Sequence, residues 1–382
     1  MGYQNDPELR HLVIVVTAKM TAETFVMKFA TYIAQKGYRV TVIADGLNKE
    51  KVIVDNGVLE QVPVQMEREP APLRDFKSLR NLIATLRDLQ PDILIYATPK
   101  ASLLTSIAGL YLKIPERIYQ IWGLRLETTS GLKKFVLKIM EKMTSLGSTK
   151  ILANSRSLAN RYQELNLNLG KEINVVGKGS SHGVDLEFFA NDRPTPGLNT
   201  EVSDFLAKTQ GMIKLGFVGR LHPDKGISTL VEAAEICAIN GLKISLIFVG
   251  GDEGAGIKLP EHPNLSYITV GHTSDVRPYY SIMDILVLPS LREGFPNVVL
   301  EAAAMGVPAI VSDGTGVVDS VVDCETGLIF PVGNSLALAE AIQELAKDPQ
   351  LLKKMGSMGR KWVESYYSQE NVWIKTLEYY LK

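Results

Sequence analysis

Residues 213–237 read I-K-L-G-F-V-G-R-L-H-P-D-K-G-I-S-T-L-V-E-A-A-E-I-C. Ile213 to Val218 is an apolar run of strand length, Gly219 to Gly226 is a loop bounded by glycines, and Ile227 to Cys237 has helical spacing. The same strand–loop–helix unit recurs in both directions. Toward the C-terminus the pattern predicts strands at Lys243 to Val249, Leu265 to Thr269, Ile285 to Pro289 and Pro308 to Ser312. Helices are predicted from Ser274 and over Asn297 to Met305, with a mostly helical end from Ser335. Toward the N-terminus it predicts strands at His11 to Val16, Arg39 to Ala44, Asp92 to Ala97, Arg117 to Trp122 and Lys150 to Ala153. Helices are predicted over Ala22 to Gln35, Arg74 to Leu89 and Ser102 to Leu112, and from Ser155. Such alternation implies parallel sheets with helices on both faces. The segment N-D-R-P-T-P-G-L-N-T-E-V-S at 191–203 is dense in breakers and interrupts it. The expectation is α/β, with two doubly wound Rossmann-like halves, residues 1–190 and 191–365. Ligands of open α/β sheets bind beyond the carboxyl ends of the strands, so a cleft between the halves is the expected site.

Composition narrows the classes. The chain has 382 residues, 46% hydrophobic and 22% charged, with a net charge of -1. That excludes a disordered or collagen-like chain. Two distant cysteines, Cys237 and Cys324, exclude a disulfide scaffold and suit a reducing compartment. The early apolar run Leu12 to Val16 is far shorter than the roughly 18 residues of a spanning helix, so the expected location is cytoplasmic, either free or peripheral at the inner face of the plasma membrane. The small net charge hides an asymmetry. Residues 1–175 carry 24 Lys and Arg against 17 Asp and Glu, while the remainder carries 17 against 25. One half is therefore expected to meet something anionic; scatter between two domains is the alternative.

Two loops carry chemistry. In Gly219–Gly226, Arg220 and Lys225 lie across a turn that opens a helix, an arrangement suited to a diphosphate. Neither a P-loop nor a dinucleotide fingerprint is present, and two surface charges on a loop remain the alternative. In Ser290–Asn297, Glu293 precedes a helix and Glu301 lies inside it, within V-V-L-E-A-A-A-M. Asn297 is the expected N-cap, and Gly294 admits close backbone approach. Carboxylates at this spacing suit sugar hydroxyls, although Glu301 could equally serve the helix dipole.

The stretches G-F-V-G-R-L-H-P-D-K-G-I, L-P-S-L-R-E-G-F-P-N-V-V-L-E-A-A-A-M-G-V-P-A-I-V-S-D and D-C-E-T-G-L-I-F-P closely resemble family-4 retaining glycosyltransferases. The first-half stretches V-V-T-A-K-M-T-A-E-T-F, A-T-P-K-A-S and K-G-S-S-H-G-V-D-L-E-F-F resemble the bacterial subset that builds capsule, lipopolysaccharide and lipid-linked oligosaccharides. The resemblance implies a GT-B fold, with the acceptor on the first domain, the donor held mainly by the second, and a final helical segment, 366–382, returning to the first. It implies that Arg220 and Lys225 meet the donor diphosphate with Gly219. Glu293 would contact the transferred sugar, Gly294, Phe295, Pro296 and Asn297 would line sugar and phosphate, and Glu301 would bond the ribose. Thr17, Lys19 and Thr21 would cover the phosphates. Gly251 and Asp252, with Gly271 to Thr273, would line the base, most readily uridine. Many relatives carry a His after the fourth strand; here that loop reads Ala97-Thr98-Pro99-Lys100, leaving Lys100 as its polar candidate.

No D-x-D occurs and the five histidines do not cluster, so no metal and no cofactor beyond a nucleotide-sugar donor, a UDP-sugar, is expected. The expected activity is retaining transfer to a polyprenyl-diphosphate-linked saccharide, by front-face attack with Glu293 offsetting positive charge at the anomeric carbon. The rivals are a GT-B sugar-nucleotide epimerase and a non-catalytic nucleotide-sugar-binding subunit. Residues 131–146 place Lys133, Lys134, Lys138 and Lys142 among Leu132, Phe135, Val136, Ile139, Met140 and Met143 at helical spacing, which suits an anionic membrane surface or a solvated lysine face. No basic-aromatic stripe favours nucleic acid.

Overall fold

The apolar runs become two sheets, each flanked by helices because the central strands are largely apolar on both faces and must be covered twice. The structure, a computed structural model, describes residues 9–67, 71–190, 193 and 195–382. Asn191, Asp192 and Pro194 of the expected junction lie outside the described residues. The chain divides into one unit ending at His182 and completed by Trp373–Lys382, and a second unit, Gly183–Val372.

In the first unit the strands are β1 (His11–Ala18), β2 (Arg39–Asp45), β3 (Glu50–Val54), β4 (Gly57–Pro63), β5 (Ile93–Tyr96), β6 (Glu116–Ile121), β7 (Lys150–Ala153) and β8 (Ile173–Asn174). Their order is β3-β4-β2-β1-β5-β6-β7-β8. All neighbours pair in parallel except β3, which forms an antiparallel hairpin with β4. This hairpin corrects the expectation of a purely parallel sheet. Its two-residue turn, Asp55-Asn56, has Asp55 at φ 49, the left-handed geometry of tight hairpins. Alternate residues of β1 face opposite sides: Val13 and Val15 join one core cluster, Leu12, Ile14 and Val16 the other.

The second unit contains β9 (Ile213–Val218), β10 (Ile244–Val249), β11 (Leu265–Gly271), β12 (Ile285–Leu288), β13 (Ala309–Ser312) and β14 (Gly327–Phe330), ordered β11-β10-β9-β12-β13-β14 and parallel throughout. Both sheets thus contain the 3-2-1-4-5-6 order of doubly wound folds, with switch points at β1/β5 and β9/β12. Residues 183–190, assigned by the sequence reading to the first half, belong to the second unit. Val184 N–H donates to Tyr367 O at 2.8 Å, and Gln369 N–H donates to Val184 O at 2.9 Å. The breaker-rich segment also gives way sooner than its composition suggests, because Asn199 Oδ1 accepts from Val202 N–H at 2.8 Å and caps a helix over Thr200–Lys208.

The chain ends in helices Ser335–Lys347, Pro349–Tyr366 and Gln369–Leu381. The last packs Trp373 against Phe29, ring centroids 5.9 Å apart, and Tyr380 OH accepts from Gln120 Nε2. No helix of the described residues is long and apolar enough to cross a membrane.

Candidate functional site

In the second unit the loops leaving β9 and β12 emerge on either side of the switch point and lock together. Leu291 N–H donates to Asp224 O at 2.8 Å, and Arg292 pairs with the Asp224 carboxylate at 2.6 Å. This clamp brings Lys225 and Glu293 together: Lys225 Nζ donates to Glu293 Oε1, and Ser290 Oγ donates to the same oxygen at 2.8 Å. Their side chains retain 18% and 17% exposure, so the pair is partly desolvated but open on one side. Gly226 makes the approach possible. It sits at φ 66, and a Cβ there would stand 2.0 Å from Pro289 O. The loop after β13 supports Glu293 from behind: Glu293 N–H donates to Thr315 O at 2.7 Å, and a Cβ on Gly316 (φ 76) would meet Glu293 O at 2.3 Å.

The helix Asn297–Ala304 follows directly. Asn297 is its first residue rather than its cap; Pro296 holds the cap position and no side chain caps the helix. The Asn297 amide instead donates to Gly183 O at 3.1 Å. Asn297 was expected to cap because Asn favours that position, but Pro296, with its fixed φ, ends the loop one residue earlier. Gly294, Phe295 and Pro296 are buried, with Phe295 packed on Tyr367 at 5.5 Å. Glu301 lies one turn inside the helix and accepts from Tyr280 OH at 3.0 Å. Burial pushes its carboxyl up to about 7, only partly offset by that hydrogen bond.

Arg220 follows β9 and behaves differently. Its guanidinium is 64% exposed and pairs with Glu253 at 2.6 Å. The neighbouring loops run beside it: Leu221 N–H donates to Gly251 O, Gly219 N–H to Val249 O and Gly250 N–H to Gly271 O. Gly219, Gly251 and Gly271 therefore line one edge. The structure joins Lys225 and Glu293 at the β9/β12 switch point, whereas Arg220, Gly251 and Gly271 lie toward the β10 and β11 side of the same sheet edge. Ser290, Tyr280, Asp224, Arg292 and the Thr315–Gly316 turn were missed. The G-T-G at 314–316 was the available signal, a glycine pair directly after a strand.

In the first unit Thr17, the penultimate residue of β1, meets Thr98, their hydroxyls 2.7 Å apart across the β1/β5 switch point. Thr98 holds φ 67 and ψ 139, a sparsely populated region for a β-branched residue. Lys19 and Thr21 sit on the short helix Lys19–Thr21, with Lys19 3.6 Å from Glu23. Lys100 is 6% exposed, and its ammonium pairs with Asp75 at 2.7 Å. The lysines 133, 134, 138 and 142 lie on the helix Gly131–Gly147, whose Leu132 and Phe135 are 78% and 60% exposed. Among the described residues, no group of three or more His, Cys, Asp or Glu could hold a metal ion.

Comparison with known proteins finds two family matches. Residues 200–362 match the family described as glycosyl transferases group 1, and residues 14–155 match glycosyl transferase 4-like. The chain is 36% identical over 351 residues to a capsular polysaccharide biosynthesis glycosyltransferase of Staphylococcus aureus, covering 90% of this chain and 89% of that one. It is 29% identical over 258 residues to an Escherichia coli UDP-Gal:α-D-GlcNAc-diphosphoundecaprenol α-1,3-galactosyltransferase, covering 64% and 63%. Among solved structures it is similar to a sucrose-phosphate synthase from Thermosynechococcus elongatus at TM-score 0.73 and 18% identity, covering 97% of this chain and 98% of that one.

Proposed function

Because the chain belongs to the group 1, family-4-type glycosyltransferases of GT-B fold, we propose that it moves a hexosyl or N-acetylhexosaminyl group from a UDP-sugar to a polyprenyl-diphosphate-linked saccharide, with retention, in capsule or related surface-polysaccharide assembly. The observation that carries this reading is the Lys225–Glu293 pair at the β9/β12 switch point, a cation and a carboxylate on adjoining loops. A departing nucleoside diphosphate gains negative charge, which Lys225 and the first-turn N–H groups of the helix Asn297–Ala304 stabilise. Arg220 joins them, since its exposed pair with Glu253 is worth little and is readily exchanged for phosphate. These cations do the work that a divalent ion does elsewhere, which makes the transfer metal-independent.

On one face of the sugar, the acceptor oxygen bonds to the anomeric carbon as the bond to the β-phosphate oxygen breaks. The acceptor proton passes to that phosphate oxygen, so no protein base is consumed. Glu293 holds the sugar and offsets positive charge at the anomeric carbon without bonding to it. The E. coli relative's name, with a UDP donor, a lipid-diphosphate acceptor and an α linkage, supports the choice of donor and acceptor class. The helix Gly131–Gly147 holds the enzyme at an anionic membrane surface, where such an acceptor lies; its exposed apolar residues and lysines support this.

The test is incubation with radiolabelled UDP-sugars, with and without a short-chain polyprenyl-diphosphate N-acetylglucosamine, followed by NMR of the product's anomeric centre. An α-linked product formed only with acceptor is expected. Isomerised donor without acceptor would establish the epimerase instead, and an inverted product would remove the front-face mechanism.

A further inference from the structure

The first unit has a second set of features at the carboxyl edge of its sheet. Val15, Tyr96 and Tyr119 stand on one rung across β1, β5 and β6. Thr17 and Thr98 lie two residues beyond that rung and Trp122 three, so all three rise from the same edge, beside the β1/β5 switch point. Ser180 N–H donates to Asn154 O at 2.8 Å, which returns the chain over the end of β7 and delivers His182 to this edge.

The side chains there form an aromatic group. Phe25 lies 5.9 Å from Trp122 and 5.5 Å from His182, ring centroid to centroid, and Ser181 Oγ stands 2.7 Å from His182 Nδ1. Phe25 keeps 41% of its surface in solvent. Three local irregularities converge on the same place. Phe25 is carried on a π-helical turn, Ala22–Val26, a geometry that is rare and concentrated at functional sites. Thr98 stores backbone strain. The Trp122 indole N–H is out of water and has no hydrogen-bond partner among the described residues, although such a donor when buried normally finds an acceptor.

We propose that Phe25, Trp122 and His182 form a saccharide subsite in which the acceptor's sugar ring packs on the aromatic faces and one of its hydroxyls accepts from the Trp122 indole N–H. The chemistry fits a pyranose better than a lipid or a peptide. A sugar offers C–H faces to aromatic rings and hydroxyls to a donor-only indole and to the Thr17–Thr98 hydroxyl pair. His182 takes part as a neutral aromatic ring at neutral pH, because burial and then Lys28 lower it to about 4. The inference rests on the glycosyltransferase reading for its occupant, the acceptor, and names residues that the diphosphate chemistry does not involve.

The test uses the 382-residue chain labelled with ¹⁵N at the indoles of Trp122, Trp362 and Trp373. The Trp122 resonance is assigned by its loss in Trp122→Phe. The probes are methyl glycosides of glucose, galactose, N-acetylglucosamine and N-acetylgalactosamine, the short-chain polyprenyl-diphosphate N-acetylglucosamine, and UDP alone. At least one saccharide is expected to move the Trp122 signal saturably while leaving Trp362 still. Trp122→Phe and the milder Phe25→Leu are expected to weaken that saccharide by about fivefold, one hydrogen bond's worth, with UDP binding unchanged. In turnover assays the same variants should raise the acceptor KM more than they lower kcat. A Trp122 signal unmoved by every saccharide, or moved by UDP alone, overturns the subsite. Because the resonance is read without turnover, a shift in a protein that consumes no donor would spare the subsite and sink the transferase reading, and turnover with a stationary resonance would do the reverse.

Discussion

At the residue scale, the site depends on how few groups share each charge. Glu293 Oε1 accepts from both Lys225 and Ser290, so removing either charge leaves the other half-buried without its counter-ion. Glu293→Gln and Lys225→Ala are each expected to lower turnover by at least about tenfold, a barrier change near 1.4 kcal/mol, in a steady-state assay with saturating donor. Near-normal rates in both would remove the roles given to them. Glu301 makes a separate prediction. Burial raises its carboxyl to about 7, so in the free protein it holds a proton below neutrality and loses it above. The ionised form is the better acceptor for ribose hydroxyls, so UDP should bind more tightly as pH rises through 7. Between pH 6 and pH 8 the ionised fraction, and with it the affinity, should rise by about tenfold. Calorimetric titration of wild type against Glu301→Gln isolates this contribution: the variant should lose the pH slope. Equal slopes in the two proteins would place the ribose elsewhere.

At the scale of elements, the helix Gly131–Gly147 shows what periodicity reveals and what it hides. Its lysines and apolar residues are evident from spacing, and the structure leaves Leu132, Phe135 and Leu146 exposed. Its inner face holds a group that spacing does not mark. Glu141 is 8% exposed and accepts from Tyr119 OH at 2.7 Å and Tyr162 OH at 3.2 Å. Burial raises it to about 7 against those hydrogen bonds, so the folded protein holds this proton more tightly than the unfolded chain. Its contribution to stability is therefore fully present below about 4.5 and is lost as pH rises through 7. Glu141→Gln should match wild type near pH 4.5 and exceed it at pH 8 by on the order of 1–3 kcal/mol, read by urea melts at both values. Buried His11 and His182, both lowered to about 4, titrate alike in the two proteins and cancel in the difference.

β1, β2, β5, β6, β7 and β9 to β13 were legible as short, mostly apolar runs, whereas the brief β8 and the strand β14 were not read as strands. The β3–β4 hairpin was not read either, since E-K-V-I-V is a short, mostly exposed edge strand, and the Asn199-capped helix was hidden by the breakers before it. Lys225 and Glu293 could be chosen from sequence, but their pairing could not. It depends on Gly226 accepting φ 66 against Pro289 O, so Gly226→Ala should cost more than about 1 kcal/mol in the same melts and abolish turnover with it.

At the scale of the whole chain, the surplus of positive charge in residues 1–175 acquires a location. Lys133 and Lys134 are exposed beside Leu132 and Phe135, and Leu110 and Tyr111 are exposed at the end of the adjacent helix Pro99–Tyr111. A solvated lysine face needs no exposed leucine and phenylalanine beside it. A membrane surface uses both, with the apolar residues entering the interface and each cation adding about 1 kcal/mol above anionic lipid. The two contributions separate by experiment. Wild type should sediment with phosphatidylglycerol vesicles at low salt and be released as salt shortens the Debye length to about 3 Å at 1 M. Lys133→Glu with Lys134→Glu should remove the salt-sensitive part, while Leu132→Glu with Phe135→Glu should remove binding at every salt concentration. Because all four side chains are exposed, neither pair should change the melting temperature, and both should retain transfer to a water-soluble acceptor analogue. Equal sedimentation of wild type and the Leu132/Phe135 variant would mean that the exposed apolar residues of this helix do not enter a membrane surface.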